Sequence, residues 1–199
     1  MINRLSQAEK EKRLSQAEKE KIKKKVKGIY ESIDFPLNFD KTKETAFPIS
    51  KILEKENIKL MDFDIGNDDV SGAILIDNGN TQILVNSKDK RTRRRFTVAH
   101  ELGHYYLHRE QFQQDEAFID YRDGSKNKRE LEADYFAGYL LAPTEKIEEI
   151  YCVLKKIYSE ISDRITWLSE RFNVSRNAMY VRLSQEGILW KIKSVLKKC

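Results

Sequence analysis

The residues best equipped for chemistry form one short run, His100-Glu101-Leu102-Gly103-His104, within the stretch from Phe96 to His108. On a helix, positions i and i+4 fall one turn apart on the same face. His100 and His104 can therefore aim ring nitrogens at a single ion, and Glu101 projects beside them, within reach of a water at that ion. Two imidazoles and a carboxylate at HExxH spacing are the arrangement of a zinc-dependent peptidase. All three histidines of the chain, His100, His104 and His108, lie in this stretch. His108 is expected to play another part. A fourth residue further along a straight helix points past a metal held by the first two, so His108 reads as a helix-end histidine with a local hydrogen bond.

A catalytic zinc takes three protein ligands and leaves one position open. The extended string HExxHxxGxxH would supply a third histidine, but Leu107 and Glu110 stand at its Gly and His places. The alternative is a glutamate from a second helix. The segment from Lys128 to Ala142 reads as helical and stops at Pro143. Glu130 and Asp134 share one face of it. Glu130 can reach the metal, and Asp134 can accept the free ring N–H of a ligand histidine and fix its tautomer. Glu132 is the rival ligand, but it points roughly 160° away from Asp134 on the helical wheel, so Glu130 is preferred. Ala133, Ala137 and Gly138 are small enough to let this helix lie close to the histidine helix.

These motifs resemble the ImmA/IrrE family of bacterial and phage metallopeptidases. The likeness rests on Arg94-Arg95-Phe96-Thr97-Val98-Ala99 leading into the HExxH string, on Glu130, Ala133, Asp134, Phe136 and Ala137, and on Leu140-Leu141-Ala142-Pro143. It extends over roughly residues 45 to 187, and the first 34 residues do not share it. The resemblance implies a thermolysin-like ligand set, with His100, His104 and Glu130 on the metal and Glu101 as catalytic base. It also implies cleavage of helix-turn-helix repressors, which switches on genes of mobile elements or of the DNA-damage response.

At 199 residues the chain suits one domain with a small appendage. Charged residues make up 35% and hydrophobic residues 40%, which fits a soluble protein with a thickly charged surface. There is no apolar run of about 18 residues to span a membrane and no secretory signal after the basic N-terminus. Cys152 and Cys199 do not imply a disulfide framework, and a reducing cytoplasm is the natural setting. The net charge is +5. Residues 1–27 hold ten Lys/Arg and four Glu, a balance of +6, which leaves −1 for the rest. The basic excess thus belongs to the N-terminal arm and gives little support to a protein built to coat nucleic acid.

The nonapeptide Arg-Leu-Ser-Gln-Ala-Glu-Lys-Glu-Lys occurs twice in tandem, at 4–12 and 13–21. Nine residues turn a helix by about two and a half turns, so Leu5 and Leu14 fall on opposite sides and no apolar stripe forms. A solvated, fraying helix is expected. From Ile22 the pattern changes: Ile22, Val26, Ile29 or Tyr30, and Ile33 make one apolar face that should dock and end before Pro36. A second helix is predicted over 47–56 and a strand over 58–63. Strands over 72–76 and 81–85 flank Asn78-Gly79, a strong hairpin signal. Residues 109–126 show no period and read as a loop.

Lys88, Lys90, Arg91, Arg93, Arg94 and Arg95 precede the metal helix. They form either a solvated connector or a dock for an acidic stretch of substrate. Helices are predicted over 144–158 and 162–172, with a last one between Ser175 and Gly187. Leu168 to Leu183 is similar to a helix-turn-helix, with Arg176, Asn177 and Arg182 on its second helix as candidate DNA or substrate contacts. The same segment also suits plain core packing through Trp167, Leu168, Phe172, Val174, Met179 and Leu183.

The expected fold is α+β: a thermolysin-like minimal core with a small three-stranded antiparallel sheet and a helical C-terminal part. The expected organisation is an arm (1–21), a zinc peptidase domain (22–143) and a helical region (144–199). The expected function is zinc-dependent cleavage of a specific protein, above all a helix-turn-helix repressor. Zinc is the expected ion, although the same donors accept other first-row metals. The alternatives are a DNA-binding regulator with a structural metal and an anti-repressor that binds without cutting.

Overall fold

The computed structural model describes residues 13–37, 45–64, 70–77, 80–111, 117–121 and 127–189. The first repeat copy, the Asn78-Gly79 turn, most of the 109–126 connector and Cys199 lie outside them.

Helix α1 (Gln16–Glu31) begins inside the second repeat copy. Ser15 caps it by a reciprocal pair of bonds: the Glu18 amide donates to Ser15 Oγ at 3.3 Å, and the Ser15 amide donates to Glu18 Oε2 at 2.7 Å. The helix therefore crosses the boundary expected at residue 21. The first copy carries the same Ser and Glu, but Arg13 stands nine residues before Ile22. Only the second copy runs into an apolar face, on which Ile22, Val26, Ile29 and Tyr30 are buried. The Tyr30 hydroxyl seats this face by donating to the Tyr139 carbonyl at 2.6 Å. Helix α2 (Ile49–Lys55) lies within the predicted span.

Strands β1 (Ile58–Phe63), β2 (Val70–Asp77), β3 (Asn80–Asn86) and β4 (Ala117–Tyr121) form one sheet in the order β1-β3-β2-β4. The predicted β2–β3 hairpin is present and pairs Ile74 with Ile83. The sheet is nonetheless four-stranded and mixed, where three antiparallel strands were expected. The hairpin returns β3 between β1 and β2, so β1 runs parallel to β3. The fourth strand comes from the segment read as a loop. Ala117-Phe-Ile-Asp-Tyr121 is too short to show a period, and pairing with the free edge of β2 decides its conformation.

Helix α3 (Arg91–His108) lies across β2 and β3, and Val98, Ala99 and Leu102 share one core with Ile74, Ile83 and Val85. Helix α4 (Lys128–Leu141) packs along α3 and also against α1. The C-terminal part is helical as predicted: α5 (Thr144–Ile157), α6 (Ile161–Phe172) and α7 (Arg176–Gln185). Gly187, at φ 67°, stops α7. Its amide donates to the Ser184 carbonyl, and the Ile188 amide donates to the Leu183 carbonyl, which satisfies the last turn. Among the described residues no helix is long and apolar enough to cross a membrane.

Candidate metal centre

Helix α3 carries both HExxH histidines into the interior. His100, Glu101 and His104 are 4%, 0% and 1% exposed, which is unusual for polar groups unless something compensates them. Helix α4 is started by Asn127, whose side-chain oxygen accepts from the Glu130 amide at 3.1 Å. This cap sets Glu130 in the first turn, facing the two histidines. The helices can meet because both are small at the crossing: a Cβ added to Gly103 would lie 3.0 Å from Ala133 Cα.

One donor atom from each of His100, His104 and Glu130 comes within 4.8 Å of the others. The two Nε2 atoms are 3.0 Å apart. His100 Nε2 lies 3.1 Å from Glu130 Oε2, and His104 Nε2 lies 3.4 Å from Glu130 Oε1. Ligands on one tetrahedral ion at about 2.0–2.1 Å are roughly 3.3 Å from one another. The three separations are each close to that spacing, with the Glu130 carboxylate meeting the two nitrogens through its two oxygens, and two imidazoles with one carboxylate are a suitable donor set. These residues fit a divalent metal.

Charge at the centre points the same way. Burial opposes a proton on His100, but the Asp134 and Glu130 carboxylates outweigh it and raise the pKa to about 10. Burial pushes His104 down. Glu130 is held well below the usual carboxylate range, because the two histidines overcome its own burial. His100 and Glu130 thus favour positive charge beside the carboxylates, while burial disfavours it on His104, and a bound cation would supply that charge without a proton.

Asp134 stands where the sequence put it, with Oδ1 3.1 Å from His100 Nδ1. Glu132 does not reach the donor cluster. Its Oε2 meets His108 Nε2 at 2.9 Å, and His108 Nδ1 is 3.1 Å from His104 Nδ1. A local bond was expected for His108, but a link from Glu132 to His104 was not. The legible signal was a third i+4 histidine opposite an acid on the next helix. Gly72 on β2 was also passed over. A Cβ there would collide with Thr97 Cγ2 on α3 and lie 2.9 Å from the Leu84 carbonyl oxygen, so glycine lets β2 lie this close to α3 beside Glu101.

The candidate substrate or DNA contacts divide. Arg93 is exposed and donates to Ser71 Oγ at 2.8 Å. Arg94 pairs with Asp62, and Arg95 donates to the Phe47 carbonyl, so both are engaged within the domain. Arg182 was expected on a DNA- or substrate-facing surface, but it is 2% exposed. It donates to the Ala142 carbonyl at 3.0 Å and to Thr144 Oγ1 at 2.7 Å, tying α7 to the end of α4. Arg176 and Asn177 are exposed. Asn177 helps to line a cleft of about 630 Å³ between the start of α3 and α7, together with Lys90, Arg93, Phe96 and Asp134. Met179 and Leu183 are buried in the core, as the packing reading of this segment required.

No curated protein matches the chain closely enough to be named as a relative. The profile of the Peptidase M78 family, described as the IrrE N-terminal-like domain, matches residues 53–184. That span takes in the sheet, both helices of the donor cluster and the helices through α7. With well over half of its length matched, the chain belongs to this family of metallopeptidases.

Proposed function

We propose that the protein is a gluzincin-type zinc endopeptidase that cuts a specific protein, a helix-turn-helix repressor, and so releases the genes which that repressor silences. The observation that carries the chemistry is the convergence of His100, His104 and Glu130, with the buried Glu101 next to the first of them. When bound, zinc supplies Lewis acidity that acidifies water and polarises the scissile carbonyl. The chain's own residues do the rest. Glu101 takes the proton of the attacking water and returns it to the leaving amine. Asp134 holds His100 in the tautomer that leaves Nε2 free to bind. The β4 edge flanks β2, whose Gly72 lies against Glu101. A substrate strand added to that edge would run past the site on main-chain hydrogen bonds. The repressor as target rests on the family likeness rather than on the geometry.

The test is incubation with the helix-turn-helix repressors encoded beside the gene, with and without chelator. Glu101→Gln should keep zinc and target binding while cleavage falls by about 10²–10⁴-fold. Glu130→Gln should lose both metal and cleavage. Parent-rate cleavage by Glu101→Gln would refute the mechanism. If parent and Glu101→Gln released the repressor from DNA equally well without cutting it, the protein would be an anti-repressor. Chelator-insensitive DNA binding by the parent would favour the DNA-binding regulator.

A further inference from the structure

His108 lies outside the donor cluster, yet it is 2% exposed and engaged on both ring nitrogens. We propose that His108 and Glu132 act as a positioning pair for His104, fixing its tautomer and ring angle through two linked hydrogen bonds. The inference rests on His100, His104 and Glu130 being the metal donors.

A neutral imidazole has one N–H and one bare nitrogen. If His104 binds the ion through Nε2, its proton is on Nδ1 and must be donated. The group facing it is His108 Nδ1, at 3.1 Å. To accept, that nitrogen must be bare, so the proton of His108 is on Nε2. His108 Nε2 lies 2.9 Å from Glu132 Oε2, and a carboxylate only accepts. Each group then has a single role. The opposite tautomer of His108 would set two N–H groups against each other at one end and a bare nitrogen against a carboxylate at the other. Glu132 therefore selects the His108 tautomer, and His108 selects that of His104.

Burial makes the chain of bonds consequential. His104 is 1% exposed and His108 2%, so water cannot readily replace either partner. The Glu132 side chain is 23% exposed and closes the chain at the solvent side. The ring centroids of His104 and His108 are 5.2 Å apart at 50°, a tilted pair linked through nitrogen rather than stacked. The two donor histidines are thus supported differently. Asp134 holds His100 directly, at 3.1 Å, whereas Glu132 holds His104 through an intervening imidazole. The three acids in the first half of α4 serve one centre: Glu130 as donor, Asp134 and Glu132 behind the histidines.

The test uses the full chain and reads the metal, not turnover. Zinc affinity is measured by competition with a chromophoric chelator, and cobalt(II) is loaded to report donor geometry in its visible spectrum. Glu132→Ala and His108→Phe should each weaken zinc binding by about 10–100-fold, the usual cost of losing such an outer partner. Both should also alter the cobalt spectrum. Glu132→Gln keeps an oxygen acceptor and should restore most of the affinity. A purely structural role would lower the melting temperature of the metal-free protein and leave the cobalt spectrum of the folded fraction unchanged. Should His108→Phe not fold, Glu132→Ala decides alone, since its side chain is partly solvated. Parent-like zinc affinity and cobalt spectrum in Glu132→Ala would overturn the inference. A parent that bound neither ion would overturn the donor set itself, and the positioning role with it.

Discussion

Gly103→Ala probes the contact on which the donor cluster depends. The added Cβ would lie 3.0 Å from Ala133 Cα and 3.2 Å from both Ala133 Cβ and the Ala133 carbonyl oxygen. Comfortable carbon–carbon contact begins at about 3.5 Å. No rotamer change can relieve the overlap, because its partners are backbone atoms and a methyl fixed to the backbone. Helices α3 and α4 must therefore separate by at least a few tenths of an ångström. Two donors stand on α3 and one on α4, so that displacement falls on Glu130. Metal–ligand distances tolerate only about ±0.2 Å. Overpacking costs about 1–3 kcal/mol, offset by the roughly 0.5–1 kcal/mol that alanine gains over glycine inside a helix. The net loss of fold stability is about 0–2.5 kcal/mol, at most about 10 °C in Tm for a chain of this size. Zinc affinity should fall further, by about tenfold or more. Chelator competition and thermal melts of the metal-free protein measure the two effects separately. Gly28→Ala is the control. Nothing lies within 4 Å of a Cβ at that position, and it should stabilise by about 0.5–1 kcal/mol. If Gly103→Ala bound zinc like the parent and stabilised the fold as Gly28→Ala does, the idea of a close helix crossing that sets the donor spacing would be refuted.

Gly72→Ala should damage catalysis more than metal binding. Its Cβ would collide with Thr97 Cγ2 and approach Glu101, which holds the base, whereas the donors lie elsewhere. A peptidase assay beside a zinc titration checks this, and full activity would contradict it. Tyr30→Phe removes the bonds from the hydroxyl to the Tyr139 and Leu140 carbonyls, at 2.6 and 3.0 Å. It should cost about 1–3 kcal/mol in a denaturant melt, whereas a neutral result would mean that α1 docks by its apolar face alone. Glu186 sets an acid limit. Burial raises its pKa, but Arg182, Tyr135 and Lys23 outweigh burial and hold it at about 2, against an ordinary 4.5. A depressed carboxyl stabilises the fold above its unfolded pKa, so this contribution is complete above about pH 4.5 and is lost as pH falls towards 2. Stability of Glu186→Gln should vary less over that window than that of the parent, and matching pH profiles would show that the carboxylate is not what the cluster needs.

What the sequence determined by itself was the chemistry written within single helices. The i, i+4 spacing of His100 and His104 works because a helical turn is a local property, and the same is true of Glu130 with Asp134. The amphipathic stretch from Ile22 and the hairpin around Asn78-Gly79 were also visible, because each depends on residues a few positions apart. The tertiary structure decided whatever depends on partners far along the chain. The segment 117–121 became a strand because β2, more than forty residues earlier, offered an unpaired edge. Strand β1 became parallel because of where the hairpin returned. Arg94, Arg95 and Arg182 looked free to meet a ligand, but Asp62, the Phe47 carbonyl and the Ala142 carbonyl take them up. Glu132 was weighed only as a rival ligand and set aside on the wheel, because its partner, His108, is on another helix. A buried charge or N–H must find a partner within about 3 Å, and only the packing of α3, α4 and α7 determines which partner that is.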